Sequence, residues 1–305
     1  MMKTVQISIL ARVYGNVNAD ETIGNRVTIK KFYSSEGEVL PFVSARAIKY
    51  AIRKALKEKG FEIDPFVIDK REMKDSGDPV KYIDNDLFGF MVPEGKKGSI
   101  TRQAPIAISY FKALKNTPIN VEFGARFPRE NTVIVEDKKQ EDLNPVPFEI
   151  EVADFIGRLN VLIYETIGKF TEEELKKVQD KSKLQKEKDY YVLSKDEREK
   201  RLRAFLEILL TPSYVLPRST NSLNIPEYKV AIIVLNKDGV LPVYQYLDYK
   251  KLGEVDIEKL EKLKEICEEA GSDVYLIDYE GWVKEGIIPK ISVKEAIEKI
   301  VKHLI

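Results

Sequence analysis

The sequence predicts an α+β protein built on a ferredoxin-like core, and three observations point there. Residues 4–14 alternate with period two. Val5, Ile7, Ile9, Ala11 and Val13 lie on one side and Thr4, Gln6, Ser8 and Arg12 on the other, the pattern of a strand with one buried face. Ile48, Ala51, Ile52, Ala55 and Leu56 recur instead at the spacing of one apolar helical stripe. With the irregular stretches set aside, the elements follow as strand, helix, strand, strand, helix, strand, the order that RRM domains also use.

Taken in order, the first strand ends at Gly15-Asn16 and a polar loop, and a second alternating run covers Arg26 to Tyr33 before a turn at Ser34 to Gly37. Ser44 is placed to cap the clearest helix and Gly60 to stop it. Residues 61–117 carry eight Gly or Pro residues and read as an insertion with short helices, one of them near Ile106 to Leu114. Strands are expected at Ile119 to Phe127 and Phe148 to Phe155, with the Pro- and charge-containing stretch Pro128 to Pro147 protruding between them. Thr171…Glu174 has the form of a capping box opening a charged helix from Phe170 to Tyr191. Ser194…Glu197 opens another, with Leu202, Phe205, Leu206, Leu209 and Leu210 as its apolar side. A loop, Thr211 to Pro226, leads into a strand at Val230 to Leu235. A C-terminal α/β extension follows: helix Asp256 to Ala270, strand Val274 to Ile277 and helix Ser292 to Leu304.

Composition removes several function classes. The chain has 50 basic and 50 acidic side chains, yet residues 1–57 hold ten Lys/Arg against four acids, so a neutral protein can still carry a basic lobe. The single cysteine, Cys267, sits in an apolar-patterned helix and reads as a small buried hydrophobe. The single histidine, His303, lies two residues from the C-terminus, which excludes a two-histidine ribonuclease and a histidine-rich metal site. Phosphate-binding, dinucleotide and nucleophile-elbow motifs are absent, so neither cofactor nor metal is expected. No apolar run is long enough to cross a bilayer, and the expectation is a cytoplasmic protein without a membrane partner.

The residues that stand out lie on the helix after Ser44. Arg46, Lys49, Arg53 and Lys57 fall roughly one per turn opposite its apolar stripe. A solvated charged face explains most such rows. Here, however, the first acid is Glu58, near the far end, although the N-terminal turn of a helix favours Asp or Glu. Free N–H groups, a serine hydroxyl and converging cations suit a phosphate. Arg218, Ser219, Thr220 and Asn221 offer donors suited to phosphate or 2′-OH contact, in a loop whose plainer reading is a polar connection. Asn16 and Asn18 flank a turn whose glycine admits close backbone approach. Asp84 and Asp86 read as loop or cap residues rather than metal ligands. Phe88, Phe90 and Met91 read as core rather than as wedges between bases.

In order along the chain, ISILARVYGNVNADE, IGNRVTIKKF, LPFVSARAIKYAIRKAL, DNDLFGFM, TRQAPIAISYF, INVEFGARF, FEIEVADFIGRLNVLI and the LLTP…PRSTN loop resemble the DevR autoregulator family of CRISPR-associated proteins, over about residues 4–236. The resemblance implies an RRM-like palm (1–60 with 118–305), a finger-like helical insertion (61–117) and a thumb-like hairpin (128–147). It further implies a non-catalytic backbone subunit of a type I Cascade complex, with copies of itself stacked along one crRNA beside other Cascade subunits. The guide would be ordered for pairing with a target DNA strand in antiviral defence. Carried onto this chain, the RNA-binding positions are Ser44, Lys49 and Arg53, with Arg46 and Lys57 extending that face. Arg26 and Lys30 on the second strand, Asn16 and Asn18, and Arg218, Ser219 and Asn221 complete the set. Two other readings stand beside it. One is a metal-dependent target-RNA endonuclease subunit using Asp20 or Glu21; the other is a DNA-binding autoregulator, although no helix-turn-helix pattern is visible.

Overall fold

The computed structural model describes residues 2–17, 19–69, 72–95, 98–127, 145–214, 216, 224–284 and 286–305. The chain opens with β1 (Thr4–Gly15), β2 (Ala19–Ile23), β3 (Arg26–Ile29), β4 (Lys31–Tyr33), β5 (Val39–Val43) and α1 (Ala45–Glu58). Next come β6 (Val67–Asp69), β7 (Glu72–Lys74), α2 (Ile83–Phe88), β8 (Phe90–Pro93), β9 (Ser99–Arg102), β10 (Ile106–Ile108), β11 (Phe111–Ala113) and β12 (Asn120–Arg126). The 19-residue β13 (Val146–Tyr164) precedes β14 (Lys169–Phe170), β15 (Leu184–Glu187), β16 (Tyr190–Leu193) and α3 (Lys195–Leu210). Then follow β17 (Glu227–Asn236), β18 (Tyr249–Lys251), β19 (Glu254–Val255), α4 (Ile257–Glu269), β20 (Asp273–Asp278) and α5 (Val293–Leu304).

Among the described residues this is a mixed α/β protein with five α-helices and a large, mainly antiparallel sheet in the order β20-β17-β1-β13-β11-β5-β4. β1 lies near its centre, with Thr4 opposite Tyr164 on one side and opposite Asn236 on the other. β13 is the organising strand. Its first part pairs with β12, and its later part with β1, β10 and β11.

Two hydrophobic layers hold the sheet. On one face Val5, Ile7 and Ile9 pack with Ile48 and Ile52 of α1, Phe205 of α3 and Ile300 of α5. Each such side chain, fully buried, contributes roughly 1.5–3 kcal/mol. On the other face Leu10, Ile156 and Ile232 lie under Leu247, Leu260, Leu263 and Trp282 of the C-terminal extension, where Cys267 is buried too. That cover changes the expectation for β1. Thr4, Gln6 and Ser8, anticipated on an open face, are 0%, 1% and 4% exposed. They are accommodated because their polar atoms are paired. Gln6 Nε2 donates to the Leu241 carbonyl at 2.9 Å, Gln6 Oε1 accepts from Leu241 N–H at 2.7 Å, and Ser8 Oγ donates to Asn160 Oδ1 at 3.1 Å.

α1 and α3 begin at the caps read for them, Ser44 and Ser194, and α4 and α5 at the expected helix starts, Asp256 and Ser292; each of these four side chains accepts an N–H of its helix's first turn. Two expected helices are corrected. Residues 106–113 are strands β10 and β11, not a helix: Ile106 and Ile108, like Phe111 and Ala113, alternate, and β13 offers them a strand edge. Phe170 to Tyr191 is not a helix either. Thr171 and Glu174 do bond reciprocally, at 2.8 and 3.4 Å, but they open only a single 3₁₀ turn. The charged residues after it lack an apolar stripe, and β14, β15 and β16 form a small sheet over Phe170, Leu175 and Leu193 instead.

Asp84 and Asp86, read as loop or cap residues, belong to α2 and are 3% and 0% exposed. Asp86 Oδ1 accepts from Arg102 Nη2 at 2.7 Å and Gly168 N–H at 3.1 Å, and its Oδ2 accepts from Arg201 Nη1 at 2.9 Å. The arginines also donate to the carbonyls of Asp86, Thr166, Lys169, Pro79 and Val80 and to Glu174 and Glu197. One carboxylate thus ties α2, β9 and α3 together.

Candidate nucleic-acid interface

α1 carries the candidate site. Ser44 Oγ accepts the Ala47 N–H at 3.2 Å, and no acid stands in the first turn. Ile48, Ala51, Ile52, Ala55 and Leu56 are its buried side, which turns Arg46, Lys49, Arg53 and Lys57 away from the core. Arg46 and Lys57 are exposed, and Lys49 and Arg53 are half-buried.

Of the ten cations in residues 1–57, Arg12, Arg26, Lys30, Lys31 and Arg53 meet acids, at Asp154, Glu149, Asp20, Glu151 and Asp84. Four of those acids come from beyond residue 57, so a local count of charge overstates the free basic surface. Among the described residues, Lys3, Arg46, Lys49, Lys54 and Lys57 have no carboxylate partner, and all but Lys3 lie on α1. The positive surface of the first lobe is therefore concentrated on one helix.

Arg53 Nε donates to Asp84 Oδ2 at 2.9 Å, and its guanidinium stands 5.2 Å from the Phe88 ring centre. Lys49 Nζ lies over the same ring at 5.5 Å. Burial, with the nearby Arg53 charge as a second cause, holds the Lys49 ammonium below the usual lysine range. Burial also pushes the Asp84 carboxyl up, outweighing the Asp64 N–H and Arg53, which act to lower it.

The Lys49 shift has a consequence for stability. Its pKa is lower folded than unfolded, so stability is lost as pH falls below the ordinary lysine range, and that cost is present at neutral pH. Lys49→Gln is expected to raise the melting temperature by roughly 1–3 °C. Differential scanning fluorimetry at neutral pH tests this, and a lower melting temperature would contradict it.

The other expected positions differ from α1. Arg26 Nε is held 2.5 Å from Glu149 Oε2, and Lys30 Nζ lies 3.6 Å from Asp20 Oδ1, so neither is a free cation of the basic strand. The same pair engages Asp20, the acid of the endonuclease reading. Asn16 is 1% exposed and donates through Nδ2 to the Glu151 carbonyl at 2.8 Å. Its side chain faces the interior because that carbonyl needs a donor. Asn18, Arg218, Ser219, Thr220, Asn221 and most of the 128–147 hairpin lie outside the described residues. Phe88 and Phe90 are buried as expected, whereas Met91 is 58% exposed. Sequence reasoning missed Asp84 as the partner of Arg53 and Phe88 as the floor beneath both cations. The signal was present: two acids inside an apolar block, IDNDLFGF, need buried cations.

The profile of the family described as CRISPR-associated negative auto-regulator DevR/Csa2 matches residues 8–213. No curated protein sequence matches. Among solved structures, the chain resembles a "CRISPR RNA-guided surveillance complex" component with TM-score 0.59 and 14% identity, over 98% of both chains. It also resembles a component of a "CRISPR RNA-guided surveillance complex, pre-nicking" with TM-score 0.60 and 12% identity, over 99% of this chain and 100% of the other. At these identities the likeness is one of fold.

Proposed function

Because the chain belongs to the CRISPR-associated DevR/Csa2 family, we propose that it is a non-catalytic Cascade subunit that binds the phosphates of a crRNA through α1. The observation that carries this reading is the row of cations without carboxylate partners beside an acid-free, serine-capped helix start. Phosphate contacts of this kind position an RNA without reading its sequence, which is what a subunit serving many guides needs. Copies arranged along one guide would hold its bases for pairing with a target DNA strand.

The strand order β17-β1-β13-β11, with α1 and α3 as crossovers, supports an RRM-like palm. An RRM uses its open sheet face for RNA. Here α4 and the segment around Leu247 cover that face, which leaves the α1 side as the route for a ribose-phosphate chain. In this reading the finger-like insertion ends before β10, since β10 and β11 pair with β13, and the thumb-like hairpin springs from β12 and β13.

Two measurements test the function. Nucleic acid that copurifies with the protein is expected to be destroyed by RNase and spared by DNase. Affinity for single-stranded guide-length RNA is expected to fall by about a hundredfold or more between roughly 50 and 500 mM salt. Binding indifferent to salt would overturn the proposal. DNase-sensitive cargo with a preference for duplex would favour the DNA-binding autoregulator.

A further inference from the structure

A continuous line of hydrogen bonds runs from α1 into the β6–β7 hairpin. Arg53 Nε donates to Asp84 Oδ2, and the other oxygen of that carboxylate, Oδ1, accepts the Asp64 N–H at 2.9 Å. Asp64 Oδ1 in turn accepts the Phe66 N–H at 2.9 Å. Its Oδ2 accepts from Ser76 N–H at 2.8 Å, Ser76 Oγ at 2.9 Å and Asn85 Nδ2 at 2.8 Å. Both carboxylates are almost fully buried, Asp84 at 3% and Asp64 at 4% exposure. Asp64 therefore clamps both ends of the segment from Phe66 to Ser76.

That segment needs a clamp. Phe66 adopts φ 61°, a left-handed conformation that a bulky residue rarely takes without being held there. Beyond it Val67, Ile68 and Met73 point outward at 51%, 80% and 71% exposure, so little apolar packing fixes the hairpin. Its shape rests on Asp64, and the Asp64 backbone is held by the carboxylate that holds Arg53.

We propose that Asp84 is a positioning residue that aims Arg53 at an incoming phosphate and couples that face to the shape of the β6–β7 hairpin. The ligand named here rests on the crRNA-binding reading. Held through Nε, Arg53 keeps its Nη donors for a second, anionic partner, a geometry suited to phosphate. A carboxylate whose two oxygens serve two elements transmits a shift of either to the other. The bland alternative is that Asp84 is simply a negative charge beside the cation row. The two accounts predict opposite signs. A mere acid weakens polyanion binding, so its neutralisation would tighten binding, whereas loss of a positioning group weakens it.

The experiment has one arm without RNA and one with it. In the first, hydrogen exchange is followed at the Asp64, Phe66 and Ser76 amides in wild type, Arg53→Gln, Arg53→Lys and Lys57→Gln. Both Arg53 variants are expected to speed exchange at those amides by about fivefold or more, and Lys57→Gln to leave it unchanged. Arg53→Lys keeps the charge, so its effect isolates the Nε contact. Exchange equal to wild type in both Arg53 variants overturns the coupling, whether or not the protein binds RNA. In the second arm Asp84→Asn is compared with wild type for single-stranded guide-length RNA. A loss of about tenfold is expected, and equal or tighter binding overturns the positioning role. If wild type itself ignores RNA, the proposed function falls while the first arm still decides the coupling.

Discussion

Replacing Asp86 by asparagine is expected to lower the melting temperature by roughly 10 °C, the largest single-residue effect on stability foreseen in this protein. The reason is asymmetry. Arg102 and Arg201 have side chains 2% and 4% exposed, and Asp86, at 0%, is the carboxylate they share. Taken together, two buried guanidiniums and one carboxylate are tolerable because every guanidinium nitrogen has an acceptor. Neutralising the shared anion leaves the cations buried with Glu174 and Glu197 as their carboxylate partners among the described residues, both more exposed. Breaking such a unit from one side costs about 3–5 kcal/mol. Thermal unfolding followed by circular dichroism decides the matter. A variant within 2 °C or so of wild type would mean that the arginines find water or other acceptors, and that the node is not structural.

The largest effect on binding is expected from reversing Arg46 and Lys57 together to glutamate. Both are exposed on α1 and neither has a carboxylate partner among the described residues, so their replacement removes no internal bond. Affinity for single-stranded RNA is expected to fall by about a hundredfold or more at low salt. The slope of log affinity against log salt should become shallower by about 1.4, two contacts at roughly 0.7 each. The melting temperature should stay within about 2 °C of wild type, as befits surface changes. Filter binding across a salt series reads both quantities. An unchanged slope would place the RNA elsewhere on the molecule.

How far the fold was legible follows from which forces set each element. The caps at Ser44, Ser194, Asp256 and Ser292 and the stripes behind them are local features, and the helices start there. β10 and β11 were misread because their strand character depends on the edge of β13, about fifty residues further along the chain. The 170–191 stretch shows the converse: a real capping pair with no apolar face to carry a helix onward. At the candidate site, the cation row on α1 was visible as spacing. The pairing of the other early cations was not, because Glu149, Glu151 and Asp154 reach Arg26, Lys31 and Arg12, and Asp84 reaches Arg53, only after folding.

The position of β1 governs how this chain can come to be folded at all. It precedes both of its neighbours along the chain by a wide margin, the nearer ending at Tyr164 and the farther at Asn236. Until they pair with it, a twelve-residue run rich in valine and isoleucine waits with both hydrogen-bonding edges bare. Sheets closed by such distant partners assemble slowly and aggregate easily. Refolding from denaturant should therefore be slow, and its yield should drop steeply as protein concentration rises.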